Sequence, residues 1–466
     1  MKENSFVSAD DIRSAFSAAM SVMYREEVPA YGTLMELVAK VNDDTLSADP
    51  ALKERLDATD SLDRISEERH GAIRLGTPAE LSMMRRVYAV MGMYPVGYYD
   101  LSTAGVPVHS TAFRPVGDAA LKRNPFRVFT SLLRLDLIAD ESLRTESAAI
   151  LAERRIFTPL AIELTEKAER DGGLDKTDAE RFVLEVLETF RWHDKANVSA
   201  DMYKRLHDAH RLIADVVSFK GPHINHLTPR TLDIDQVQRL MPEYGIAPKA
   251  VVEGPPTRKC PILLRQTSFK ALEEAVSYRD GDGEWKAGSH TARFGEIEQR
   301  GIALTPKGRA LYDELLEASR KIVRPAADGS NAREYEAALA QAFESFPDTW
   351  AGIREAGLGY FSYSLTEKGL KTRISDRRPL DRLIADCLVQ FDAIVYEDFL
   401  PVSAAGIFQS NLGDGAQQDF VASPNQKRFE IDLGATVLNE FDHYAGIEEA
   451  SIESCMRALT AAIAAE

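Results

Sequence analysis

The chain has 466 residues, with 56 Lys+Arg against 73 Asp+Glu and a formal net charge of −17. That acidic balance excludes a broad nucleic-acid surface, which needs clustered cations, and no apolar run approaches the roughly 18 residues of a membrane span. Three cysteines (Cys260, Cys387, Cys455) in so long a chain exclude a disulfide framework, so the composition predicts a cytoplasmic globular protein of two or three domains.

In chain order, residues 1–66 read as an N-terminal helical segment. Ser8 with Asp11 three residues on marks a helix start, and Ile12, Phe16, Ala19, Met20 and Met23 fall on one face. A second apolar stripe runs through Leu34, Leu37, Val38 and Val41. From 67 to 138, Gly, Pro and alternating apolar residues predict short strands, interrupted by a helix that Thr77, Pro78 and Glu80 open as cap, first position and capping-box acid. Residues 139–218 return to helical periodicity, with Thr177 and Glu180 as a capping box ahead of Phe182, Val183, Val186, Leu187 and Phe190. The stretch 219–303 is again strand-like, with a short helix opened by Asp233 and a hairpin tip at 281–288. In the last segment, 304–466, helices are predicted at 306–322 and 332–345.

The two strand-rich stretches resemble each other. Gly92 to Asp100 aligns without a gap on Gly245 to Glu253, and Thr111-Ala112-Phe113-Arg114 matches Thr267-Ser268-Phe269-Lys270. Each is preceded by a capped helix and a strand holding His-x-x-x-Arg, His70 to Arg74 and His226 to Arg230. Two such strands around a pseudo-twofold axis would converge two imidazoles on one point. An ungapped count back from Pro248 would match His223 to His70 instead. The arginine phase and the shorter second helix favour His226, and strand alternation sends only one of the two inward.

A third ligand should be a carboxylate on a neighbouring strand. Glu296 and Glu298 share one face of the segment Phe294 to Arg300, and two inward carboxylates are costly unless a cation compensates. Two imidazoles and one carboxylate leave coordination positions open, as in non-haem Fe(II) oxygenases, whereas a structural zinc site would call for cysteine. His193, His207, His210 and His443 read as surface histidines, and His109 and His290 as strand residues. No phosphate loop, Gly-x-Gly-x-x-Gly, Gly-x-Ser-x-Gly or His-Glu-x-x-His is present.

These residues carry a family resemblance. The duplicated module resembles the vicinal-oxygen-chelate superfamily, and Phe294-x-Glu296-Ile297-x-Gln299-Arg300 is similar to the metal-glutamate strand of 4-hydroxyphenylpyruvate dioxygenase. More closely, Glu68-Arg69-His70-Gly71-Ala72-Ile73-Arg74, His223-Ile224-Asn225-His226-Leu227-Thr228, Phe294 to Gly301 and Pro401-Val402-Ser403-Ala404 resemble the 2-oxoadipate dioxygenase/decarboxylase, or 2-hydroxyglutarate synthase, family. The resemblance implies an α+β fold in which two βαβββ modules form a curved sheet or half-barrel wrapped by helices. It implies an Fe(II) site of His70, His226 and Glu296, with Arg74 contacting substrate and Val402 and Ser403 lining the pocket. The implied reaction takes a 2-oxo diacid and O2 to 2-hydroxyglutarate and CO2, in lysine catabolism, with no flavin or nicotinamide. Two alternatives stay open: a glyoxalase-like lyase or isomerase, for which Asp136 is the candidate fourth ligand, and a non-catalytic small-molecule binder.

Overall fold

The computed structural model describes residues 6–58, 62–269, 272–279, 283–291, 293–326, 329–375, 378–400 and 424–460. The fold is α+β with mixed sheets, and it divides into two units. One comprises the chain up to Glu253 with Gln266–Gln299 and Phe399–Val437; the other comprises Gly254–Arg265, Arg300–Asp398 and the chain from Leu438 on.

The first unit is built on a five-stranded sheet. Its strands are β1 (Arg69–Leu75), β2 (Tyr94–Asp100), β3 (Val108–Arg114), β4 (Arg127–Leu133) and β5 (Leu227–Pro229), in the order β2-β3-β4-β1-β5. β1 runs parallel to β4 and antiparallel to β5, and the remaining pairs are antiparallel. Alternation along β1 divides its side chains: Ile73 and Leu75 enter one hydrophobic core, while Ala72 on the opposite face enters another. The first core is closed by two helices, α1 (Ala9–Glu27) and α2 (Pro29–Ala48), through Ile12, Phe16, Met20, Met23, Leu34, Leu37, Val38 and Val41. Ser8 caps α1 as expected, its hydroxyl accepting from Asp11 N.

The helix Pro78–Val90 follows β1, with Thr77 Oγ1 accepting from Glu80 N at 3.2 Å. Glu80 does not close the box on its cap. Its carboxylate takes Gly76 N at 2.7 Å and a buried fork from Arg154, so a capping signal has been diverted into a tertiary ion pair. The helix Lys176–Leu187 begins two residues earlier than the Thr177 signal predicts: Asp175 is its cap, accepting from Asp178 N at 2.9 Å. The buried face of Phe182, Val183, Val186 and Leu187 is as expected.

The second strand-rich stretch differs from the first. The expected strand at 245–253 reduces to isolated bridges, Pro248 with Phe269 and Glu253 with Gln266. β6 (Leu264–Ser268) pairs with β9 (Glu296–Arg300), whereas β7 (Glu274–Arg279) and β8 (Trp285–His290) form a separate hairpin. His226 immediately precedes β5 rather than lying in it.

The second unit carries helices Pro306–Ile322 and Ala332–Ala342, as the periodicity predicts, and the two-stranded sheet of β10 (Phe361–Leu365) and β11 (Val389–Ala393). The helix Glu440–Thr460 covers that sheet's edge, with Phe361 N donating to Glu448 and Tyr363 N to Ser451. No helix among the described residues is long and apolar enough to cross a membrane.

Candidate metal centre

Backbone hydrogen bonding brings three distant stretches side by side. Asn225 N donates to Ala72 O at 3.0 Å, and Phe294 N donates to Asn225 O at 3.1 Å. The α1 residue Tyr24 seals the junction, its hydroxyl donating to Phe294 O at 2.8 Å with Asn225 O at 3.3 Å. Close approach is made possible at Gly71, where a Cβ would stand 2.4 Å from the Ile224 side chain, and at Gly295, where it would stand 1.7 Å from the Phe269 ring.

The result is a cluster of His70, His226 and Glu296, all fully buried, with one potential ligand atom from each lying within 4.8 Å of the others. Among the described residues it is the one group of His, Cys, Asp or Glu side chains with that geometry. His70 Nε2 lies 3.1 Å and His226 Nε2 4.0 Å from Glu296 Oε1. Gln266 and Thr228 donate to that same oxygen at 2.9 and 3.2 Å, which fixes the carboxylate's rotamer. Among the described residues, neither ring nitrogen of His226 and not Glu296 Oε2 has a hydrogen-bond partner. Each such buried orphan costs about 1–3 kcal/mol, and a cation held by one nitrogen of each imidazole and a Glu296 oxygen would relieve part of that cost. Phe399 stands edge-on to His70 at 4.9 Å and Phe294 lies 4.7 Å from His226, which makes the cluster's walls apolar.

Charge follows the geometry. Burial, then the neighbouring charges of His70 and Arg74, hold His226 well below the usual imidazole range, so it is neutral and able to ligate. Burial also opposes a charge on His70, but the carboxylates of Glu298 and Glu296 outweigh it and raise that pKa above its ordinary value.

The other candidate residues divide. Glu298 does not join the three: its Oε2 lies 3.1 Å from His70 Nδ1, the nitrogen turned away from Glu296. Arg74 is buried on the same face of β1 as His70, with Nη1 2.6 Å from Asp215 Oδ2. Arg230, at the matching place after His226, pairs with Glu68 at 2.8 Å instead. His223 is buried as well, but on Asp215 (3.3 Å), where His290 also arrives at 3.0 Å with Tyr203 on its other nitrogen. Asp136 forks onto Arg134 and is no part of the cluster, which removes the fourth ligand that a lyase reading asked for. Val402 and Ser403 lie outside the described residues.

Sequence reasoning missed Asp215, Gln266 and the Glu68–Arg127 pair. Asp215 did leave a signal, a lone acid inside the apolar run Leu212-Ile213-Ala214-Asp215-Val216-Val217. Glu68 shares the strand parity of His70 two residues on.

The chain is similar over most of its length to known proteins. The family model described as 2-oxoadipate dioxygenase/decarboxylase matches residues 16–411. A 2-oxoadipate dioxygenase/decarboxylase of Pseudomonas putida is 59% identical over 98% of this chain and 99% of its own length. One from Escherichia coli is 56% identical over 96% and 98%. The crystal structure of the Pseudomonas putida hydroxyglutarate synthase in complex with 2-oxoadipate superposes with a TM-score of 0.89 at 57% identity, covering 98% of this chain and 99% of that one.

Proposed function

The chain belongs to the 2-oxoadipate dioxygenase/decarboxylase family, and on that premise we propose that it uses Fe(II), held by His70, His226 and Glu296, to convert 2-oxoadipate and O2 to 2-hydroxyglutarate and CO2. The observation that carries the iron reading is the convergence of two imidazoles and a carboxylate in a buried cluster without cysteine. When bound, the ion supplies redox chemistry and open positions for a 2-oxo acid and for O2. The substrate loses C1 as CO2, and the two oxygen atoms end in the new carboxylate and the new hydroxyl. No outside reductant is therefore required.

The protein's own residues orient and shield. Arg74 is assigned to the substrate carboxylate remote from the ion, a match of a planar fork to a planar anion. Asp215 holds that guanidinium from behind. Phe294 and Phe399 keep water from the reacting carbon, which strengthens every charge interaction in the pocket. Val402 and Ser403 are assigned to the pocket lining by family resemblance. We also read 219–303 as a reduced copy of 67–138. The support is that the aligned pairs Pro95–Phe113 and Pro248–Phe269 are both cross-strand partners, and that Gly92 and Gly245 both take positive φ.

The test is oxygen uptake by the purified protein with Fe(II) and 2-oxoadipate, with product identified by mass. Stoichiometric O2 loss, CO2 and 2-hydroxyglutarate are expected. Turnover without O2 consumption would overturn the oxygenase reading.

A further inference from the structure

β9 presents two carboxylates to one imidazole. Glu296 and Glu298 are two residues apart and both fully buried, so strand alternation puts them on one face. Between them lies His70, with Nε2 toward Glu296 and Nδ1 toward Glu298, both at 3.1 Å. Glu298 is in turn placed by a buried ionic frame. Its Oε1 lies 3.5 Å from Arg127 Nη1; Arg127 donates to Glu68 Oε1 at 2.9 and 3.0 Å; Glu68 Oε2 accepts from Arg230 at 2.8 Å and from Arg64 at 3.3 Å. Every member of that frame is less than a tenth exposed.

We infer that Glu298 is a positioning residue for the metal ligand His70, accepting a hydrogen bond from Nδ1–H so that the Nε2 lone pair is the one aimed at the ion. The inference rests on the reading of His70, His226 and Glu296 as the ligands. The argument is geometric. An imidazole can ligate through either nitrogen, and which one does so is set by the partner of the other. A carboxylate at Nδ1 fixes both the tautomer and the ring plane, and it makes the coordinating nitrogen a stronger donor. Arg127 stands 3.5 Å from Glu298 Oε1, so one oxygen of the carboxylate faces a buried guanidinium while the other faces Nδ1, and the side chain cannot swing off the ring without leaving its cation. Glu68 then neutralises Arg127 and is shared with Arg230 and Arg64, so three arginines and two glutamates form one rigid brace behind the site. This assigns a purpose to the arginine of the second His-x-x-x-Arg motif: Arg230 braces the first histidine's support, whereas Arg74 faces Asp215.

The experiment measures metal affinity, not turnover. Anaerobic calorimetric titration of the metal-free protein with Fe(II), repeated with Co(II), is applied to wild type, Glu298→Gln, Glu298→Ala and Glu296→Ala, with the thermal midpoint of each metal-free protein recorded alongside. Loss of an outer-shell partner of a ligating histidine typically weakens metal binding about tenfold to a hundredfold. Glu298→Ala should fall in that range, and Glu298→Gln should lose less because its amide oxygen still accepts from Nδ1–H. Glu296→Ala should bind no ion stoichiometrically. Affinity in Glu298→Ala within about twofold of wild type overturns the inference, as does an equal loss in the Gln and Ala variants that follows a matching fall in the metal-free midpoint. Should Glu298→Ala not fold, Glu298→Gln decides: a several-fold loss at an unchanged midpoint supports the inference, and unchanged affinity overturns it. If Glu296→Ala binds as well as wild type, the ligand assignment itself is wrong, a result distinct from any outcome at Glu298.

Discussion

Replacing Arg74 by alanine should separate substrate recognition from stability. Arg74 and Asp215 are 7% and 5% exposed and meet at 2.6 Å, so the deletion removes one partner of a buried pair. Such deletions typically cost about 3–5 kcal/mol, because the surviving charge is stranded. Here His290 and His223 stay within 3.0 and 3.3 Å of the same carboxylate and leave it with polar neighbours, which places the expected loss near the low end. Recognition is a separate quantity. A charge-assisted hydrogen bond to the remote carboxylate contributes about 1.5–3 kcal/mol, so kcat/KM for 2-oxoadipate should fall by about tenfold to a hundredfold. The discriminating assay compares 2-oxoadipate with 2-oxohexanoate, which has the same length without the distal charge. Wild type should strongly prefer the diacid, and Arg74→Ala should not. In the double variant Arg74→Ala/Asp215→Asn, removing the stranded charge should restore much of the thermal stability while leaving the preference lost. If Arg74→Ala still discriminates between the two acids as wild type does, Arg74 is a structural partner of Asp215 and the diacid assignment is refuted.

Further outcomes follow from other parts of the structure. His70→Ala and His226→Ala should each abolish stoichiometric metal binding in a calorimetric titration, whereas His223→Ala, whose ring faces Asp215, should keep it; metal retained without His226 would sink the site. His109, pushed down to about 4 by burial and then by Arg134, should make folding sensitive to acid. Because the folded pKa lies below the ordinary 6.5, the unfolded chain takes up the proton first, so up to about 3 kcal/mol present above pH 6.5 is lost as pH falls toward 4. Urea midpoints should therefore drop less steeply with pH in His109→Gln than in wild type, and parallel slopes would contradict this. Gly295→Ala would drive a methyl to 1.7 Å from Phe269, costing about 1–3 kcal/mol and loosening metal binding at the adjacent Glu296. Adding Phe269→Leu should recover part of both in thermal melts and titrations, and no recovery would place the strain elsewhere.

What was readable in the sequence was whatever local chemistry decides. Ser8, Thr77 and Asp233 cap helices because a short side-chain oxygen reaches the third backbone N–H whatever the tertiary context. His70 and His226 were legible as a pair because each sits at the same distance ahead of an arginine. Glu296 and Glu298 could not be separated that way, since strand parity treats them alike and only the lateral position of His70 distinguishes them. Thr177 misled because Asp175, two residues earlier, is an equally good acceptor at the start of the same helix. The strand expected at 245–253 failed for another reason. Its partner is engaged only at Pro248 and Glu253, and a stretch holding two prolines after Gly254 cannot extend a ladder.

The stitching of Ala72, Asn225 and Phe294 has a consequence in time. Donor atoms contributed by residues 70, 226 and 296 become neighbours only after nearly two-thirds of the polypeptide has been made and its long-range pairings have closed, the slow class of folding event. A nascent or partly folded chain offers single histidines, which hold divalent ions weakly. Loading therefore belongs to the finished molecule, and the choice among cellular metals is made by a rigid cavity. Once seated, an ion that binds the folded form alone adds stability in proportion to the logarithm of its free concentration over its Kd. On the proposed metal site, supply of the ion would then set the lifetime of the protein as well as its activity, and cells short of it would lose the enzyme by turnover of the unloaded form.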